Sequence, residues 1–198
     1  MKNHNILLVS LIALSSCSCP WTERETSIIC SPESTMRVLT LDSREDSLFL
    51  RQPCLDLSEE AIRSEEYEIL ASKMIATVTD PSQDGVGIAG PQVGILRKVV
   101  AVQRFDKEGE PFEVYPNIRI TATNGEKQPG LEGCLSVPDA FVAGADGHAE
   151  VMRYRDIDIT YYSIINGRDT TETIQGFTAV IFQHECDHLD GKLFIDYL

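Results

Sequence analysis

The chain has 198 residues, 42% of them hydrophobic and 24% charged, which is the size of one domain and the composition of a globular protein, not a disordered one. Asp and Glu number 31 against 17 Lys and Arg, a formal charge of −14. A surface of that sign repels phosphate backbones, so nucleic acid is not an expected partner.

The first 17 residues, MKNHNILLVSLIALSSC, carry a basic Lys2, an apolar run over 6–14 and small residues before Cys17. That run is too short to span a bilayer as a helix and has the anatomy of a secretory signal. Its end, Leu14-Ser15-Ser16-Cys17, resembles a bacterial lipoprotein cleavage box, which would leave a lipid anchor at Cys17 and a membrane-attached protein. Translation from Met36 would instead give a cytoplasmic one. Residues 18–35 are polar and aperiodic and read as a flexible tether to a domain over 36–198. Export would permit a disulfide among Cys19, Cys30 and Cys54, although spacing does not fix the pairing.

Within the domain, Asp56 or Ser58 can cap a helix whose first turn holds Glu59 and Glu60. Tyr67, Leu70, Ala71, Met74, Ile75 and Val78 recur at helical spacing, giving an amphipathic helix that stops before Asp80-Pro81. The next stretch, GVGIAGPQVG (85–94), is too rich in glycine for a helix, and no Lys-Ser/Thr follows it, so it is not a phosphate loop. KVVAV (98–102), FEVYP (112–116) and IRITA (118–122) read as strands. Over 151–165, Ile157, Ile159 and Tyr161 alternate with Asp156, Asp158 and Thr160, a half-buried strand. Asn166-Gly167 is a hairpin turn, and TTETIQ returns from it. A last helix over 178–189 ends at Gly191. One early helix, antiparallel strands and one late helix make an α+β domain.

That last helix contains QHECDH (183–188). Positions four apart share one helix face, so His184 and His188 can hold one ion, while Glu185, about 100° around, can reach a water on that ion without ligating it. The flanking Val180, Ile181 and Phe182 mark the helix as buried, and a buried polar cluster needs a reason. A catalytic ion wants a third protein ligand and an open place. Cys134, Cys186 and a further carboxylate are the candidates; Cys186 lies about 200° around from His184 and points away, whereas a Cys134 thiolate would suit zinc or iron(II).

Together GVGIAGPQ (85–92), EGCLS (132–136) and QHECDH (183–188), in this order, resemble the peptide deformylase family. The resemblance covers 36–198 and implies antiparallel sheets packed around a central helix that carries the HExxH motif. It implies Cys134, His184 and His188 as ligands of one divalent ion, iron(II) above zinc, nickel or cobalt, and removal of the formyl group from N-formylmethionyl peptides by a monomer. In that scheme Glu185 is the general base and then the general acid. The Gln92 side chain and the Leu135 N–H receive the negative charge that develops on the formyl oxygen. Val86, Gly87, Phe177, Val180 and Ile181 match positions around the methionine slot, and Arg153 matches a partner of Asp187.

Four departures accompany the resemblance. Gly90 stands where the family usually has alanine, a change expected to loosen the loop. The stretch after Pro138 is longer than usual and lacks an arginine, which touches peptide preference; the chain ends at Leu198 without the carboxy-terminal helix of many bacterial members. An exported enzyme would meet shed formyl-peptides or small formamides in place of nascent chains. A metal- or peptide-binding homologue without turnover would need neither Glu185 nor Gln92.

Overall fold

The computed structural model describes residues 20–143 and 147–198, so the signal-type segment 1–17 and Cys19 lie outside the described residues. Element order is α1 (Glu23–Ile29), α2 (Arg44–Leu50), α3 (Glu59–Ile62), α4 (Glu65–Val78), β1 (Gly87–Ala89), β2 (Val99–Gln103), β3 (Phe112–Pro116), β4 (Arg119–Glu132), β5 (Ala149–Ser163), β6 (Arg168–Gln175) and α5 (Gly176–Leu189). Two three-stranded antiparallel sheets, β1-β2-β3 and β4-β5-β6, enclose the motif helix α5. This is the expected α+β fold.

Two helices replace the single early one. Ser58 caps α3, but Ser64 caps a second helix by accepting from the Tyr67 amide, so the chain turns between them. Tyr67, Leu70, Met74 and Val78 then bury one face of α4, and the helix stops at Thr79, just short of Asp80-Pro81. The strand expected at IRITA runs on to Glu132 through Pro129, which is tolerated because β4 is an edge strand. In β5 the period of two puts Val151, Arg153, Ile157 and Ile159 on the buried face.

One side chain ties the motif helix to the β5 main chain. Beyond the point where β6 stops pairing, the Tyr154 backbone donates to Gln183 Oε1 (3.0 Å) and accepts from its Nε2 (2.6 Å). Fully buried Ile157, Ile159, Ile174, Ala179 and Phe182 pack between helix and sheet.

The expected flexible tether is folded from residue 20 onward. Thr22 and Glu25 form a reciprocal capping box that starts α1, and Trp21 and Ile29 join the core cluster of Leu70, Met74 and Ile95. Burying a side chain such as Ile29 contributes about 1.5–3 kcal/mol, which a polar-looking segment with only two anchors conceals. Cys30 and Cys54 are free thiols, so no disulfide joins them. No helix among the described residues is long and apolar enough to cross a membrane.

Candidate metal centre

Three elements converge on one corner. The helix α5 brings His184 and His188, whose rings lie 5.0 Å apart; the turn after β4 brings Cys134; and the segment after β1 brings Gln92. Cys134 Sγ is 3.3 Å from His188 Nε2, and the ligand atoms of Cys134, His184 and His188 all fall within 4.8 Å of one another. Bonds of about 2.0–2.3 Å to a shared ion would draw such a set together.

The corner's polar groups fit a cation. His188 turns Nε2 to the Cys134 sulfur, and Glu185 Oε2 is buried with no hydrogen-bond partner among the described residues. Burial opposes charge on His184, but the adjacent Cys134 sulfur and Glu132 carboxylate outweigh it and hold the imidazole well above its ordinary range. His188 is pushed well below its range by burial and by the charges of His184, Arg51 and Arg153, which leaves it a neutral donor.

Glu132 was not singled out from the sequence. Its Oε2 lies 2.8 Å from His184 Nδ1, which turns the other ring nitrogen toward the corner, and Arg153 grips the same carboxylate through Nε (2.7 Å) and Nη2 (3.1 Å). Burial raises the Glu132 carboxyl, but His184 and Arg153 overcome it, and the net shift is downward. The expected Arg153–Asp187 contact is present at 2.6 Å, and Tyr197 donates to the other Asp187 oxygen at 3.0 Å. The signal for Glu132 was its place in EGCLS, two residues before the candidate ligand Cys134.

Gln92 is buried and held at both ends of its amide. Oε1 accepts from the Ala89 amide at 2.8 Å, while Nε2 points to Ser136 Oγ at 3.2 Å and Cys134 Sγ at 3.6 Å. Glu185 is buried too, and burial, helped by Glu132 and opposed by His184, pushes its carboxyl up to about 7. Room for it depends on Gly87, where an added Cβ would stand 2.9 Å from Glu185 Cδ and from Ile181 Cγ2.

A cleft of about 570 Å³ opens beside these groups. Val86, Gly87, Phe177, Val180 and Ile181 line it, as does Leu135. Cys186 packs instead against the apolar cluster behind the helix, where burial raises its thiol. The expectation that Gly90 merely loosens its loop is corrected: a Cβ there would meet the carbonyl oxygens of Arg97 (2.7 Å) and Ile95 (2.8 Å), so the tight turn in this chain requires glycine. Of the longer stretch after Pro138, residues 144–146 lie outside the described residues.

The profile of the polypeptide deformylase family matches residues 37–198. The chain belongs to the peptide deformylase family. Among its relatives, the peptide deformylase of Leptospira biflexa is 34% identical over 161 residues, covering 75% of this chain and 82% of that protein. Peptide deformylase 1 of Clostridium perfringens is 35% identical over 162 residues, covering 82% and 99%. Among solved structures, the class I type b peptide deformylase of Acinetobacter baumannii bound to Met-Ala-Ser superposes with a TM-score of 0.69 at 32% identity, covering 83% of this chain and 98% of that one. The peptide deformylase of Thermotoga maritima gives 0.68 at 28%, covering 83% and 97%.

Proposed function

We propose that this protein removes the formyl group from the N-terminal formylmethionine of polypeptides and releases formate. The observation that carries the reading is Glu185, a carboxyl buried beside the Cys134, His184 and His188 corner, with one oxygen unpartnered among the described residues and with glycine opposite it. When bound, a divalent ion supplies Lewis acidity there, acidifying a water and polarising the formyl oxygen. Iron(II) is the proposed metal, with zinc, nickel or cobalt as substitutes, because one thiolate and two imidazoles suit these ions.

The chain's own groups do the rest. The apolar wall of Val86, Val180 and Ile181 receives the methionine side chain and excludes water. Glu185 takes a proton from the attacking water and delivers it to the departing amine, and a carboxyl poised at about 7 suits both halves of that task. Gln92 Nε2 and the Leu135 N–H donate to the formyl oxygen as it gains charge. Glu185→Gln is expected to abolish formate release from formyl-Met-Ala-Ser while leaving metal content intact. Loss of the metal as well would remove Glu185 from the proton-carrying role.

For the protein's address we propose a membrane-attached lipoprotein, monomeric, that acts on shed formyl-peptides. Burial of Trp21 and Ile29 supports a mature chain longer than one starting at Met36, since that start would delete part of the core. Metabolic palmitate labelling of wild type, lost in Cys17→Ala, is the expected result. Absence of label from both would support a cytoplasmic protein.

A further inference from the structure

The helix α1 precedes the region shared with the family, which begins at residue 37, and nothing in the chemistry above uses it. Seven residues make no stable helix alone, so its order derives from what it touches. It packs chiefly on α4, and from there two of its side chains, Glu25 and Ile28, reach the turn that carries Gln92.

Glu25 would be satisfied by its own capping box, in which Oε2 accepts from the Thr22 amide at 2.8 Å. It also takes both arms of Arg97, Nε at 2.6 Å and Nη2 at 2.9 Å, and the Arg97 guanidinium lies 5.7 Å from the Trp21 ring centre. Trp21 is itself pinned, donating from Nε1 to Ser64 Oγ at 2.9 Å. Arg97 ends the turn that starts at Gly90, and its carbonyl oxygen stands 2.7 Å from the place of a Gly90 Cβ. Ile28 Cδ1 closes on Gly94, which turns the chain with φ +82. The chain leaving α1 then bonds the catalytic loops directly: Leu39 N–H donates to the Gln92 carbonyl (2.8 Å) and Leu41 N–H to that of Ser136 (3.0 Å).

We propose that Glu25 is a positioning residue for Gln92. Through Arg97 it fixes the turn over 90–97, so that the Gln92 amide stays beside Cys134, in reach of the formyl oxygen. The proposal rests on the reading of Gln92 as donor to that oxygen. A helix that only added stability would be indifferent to which catalytic group remained; a brace for Gln92 is not.

The test uses the full chain carrying Glu25→Ala, Gln92→Ala and both. Loss of one donor to a developing oxyanion costs about 10²–10³ in kcat, and loosening its support should cost about tenfold. On formyl-Met-Ala-Ser, Glu25→Ala is expected to lower kcat about tenfold with KM and metal content unchanged, and to lower it no further once Gln92 is gone. A second arm needs no turnover. In metal-free protein, amide exchange at Leu39 and Ala89, whose N–H groups are held by Gln92 O and Oε1, should quicken about tenfold in Glu25→Ala while Ala101 in β2 holds. An equal loss of kcat in the Gln92→Ala background, or unchanged exchange at Leu39 and Ala89, overturns the proposal. Wild type that releases no formate would strike the functional reading instead, and the exchange arm would still decide this one.

Discussion

Gly87→Ala perturbs the site by a single methyl group. Gly87 lies in β1, and its backbone conformation is open to alanine, so the effect is steric alone. The added carbon would stand 2.9 Å from Glu185 Cδ and from Ile181 Cγ2. Carbon atoms rest about 3.5–4.0 Å apart, so the carboxyl must retreat by roughly 0.6–1 Å. A displacement of about 1 Å at a reacting group costs on the order of 10²-fold in rate, and overpacking costs about 1–3 kcal/mol of stability. Steady-state formate release, elemental analysis and a thermal melt on the same preparation separate these effects. The expected result is kcat down about 10²-fold with metal retained and Tm lowered. The variant should also lose nothing further when combined with Glu185→Gln. A Gly87→Ala enzyme with near-normal kcat would refute the placement of Glu185 as proton carrier.

Glu132→Gln should weaken metal binding about 10–100-fold and leave Arg153 less well paired, read by competition with a chromogenic chelator. Gly90→Ala should lower Tm, overpacking costing about 1–3 kcal/mol of stability, because its methyl meets two carbonyl oxygens; an unchanged melt would mean the turn yields. Glu25, despite burial, is held below its ordinary 4.5 by Arg97 and Thr22. A depressed carboxyl stabilises above its unfolded value and loses that contribution as pH falls through the folded one. The docking of α1 should therefore weaken below pH 4.5, seen as a red shift of Trp21, the sole tryptophan, and that step should be missing from Glu25→Gln.

Much of this was legible in local pattern. The β-branched run before Gln103, the proline that ends α4 and the spacing of two histidines each act over a few residues, where sequence and structure speak the same language. What escaped was long-range. Ser64 is one serine among several until Trp21, 43 residues away, bonds to it. Glu25 looks like a solvated helix residue because Arg97 is 72 positions distant. Glu132 reads as a polar strand end until β5 sets Arg153 beside it. The glycines were visible, but the reason for Gly90 lies in two carbonyls that only the folded turn brings together.

Gln183 grips the main chain at position 154, not the tyrosine side chain there. Residue 154 can be exchanged without disturbing that clasp, whereas a shorter or charged replacement at 183 removes one of the polar ties, beside Arg153–Asp187, between β5 and the helix that bears His184 and His188. Relatives should therefore keep the amide at 183 while the side chain at 154 varies within what its apolar neighbours admit.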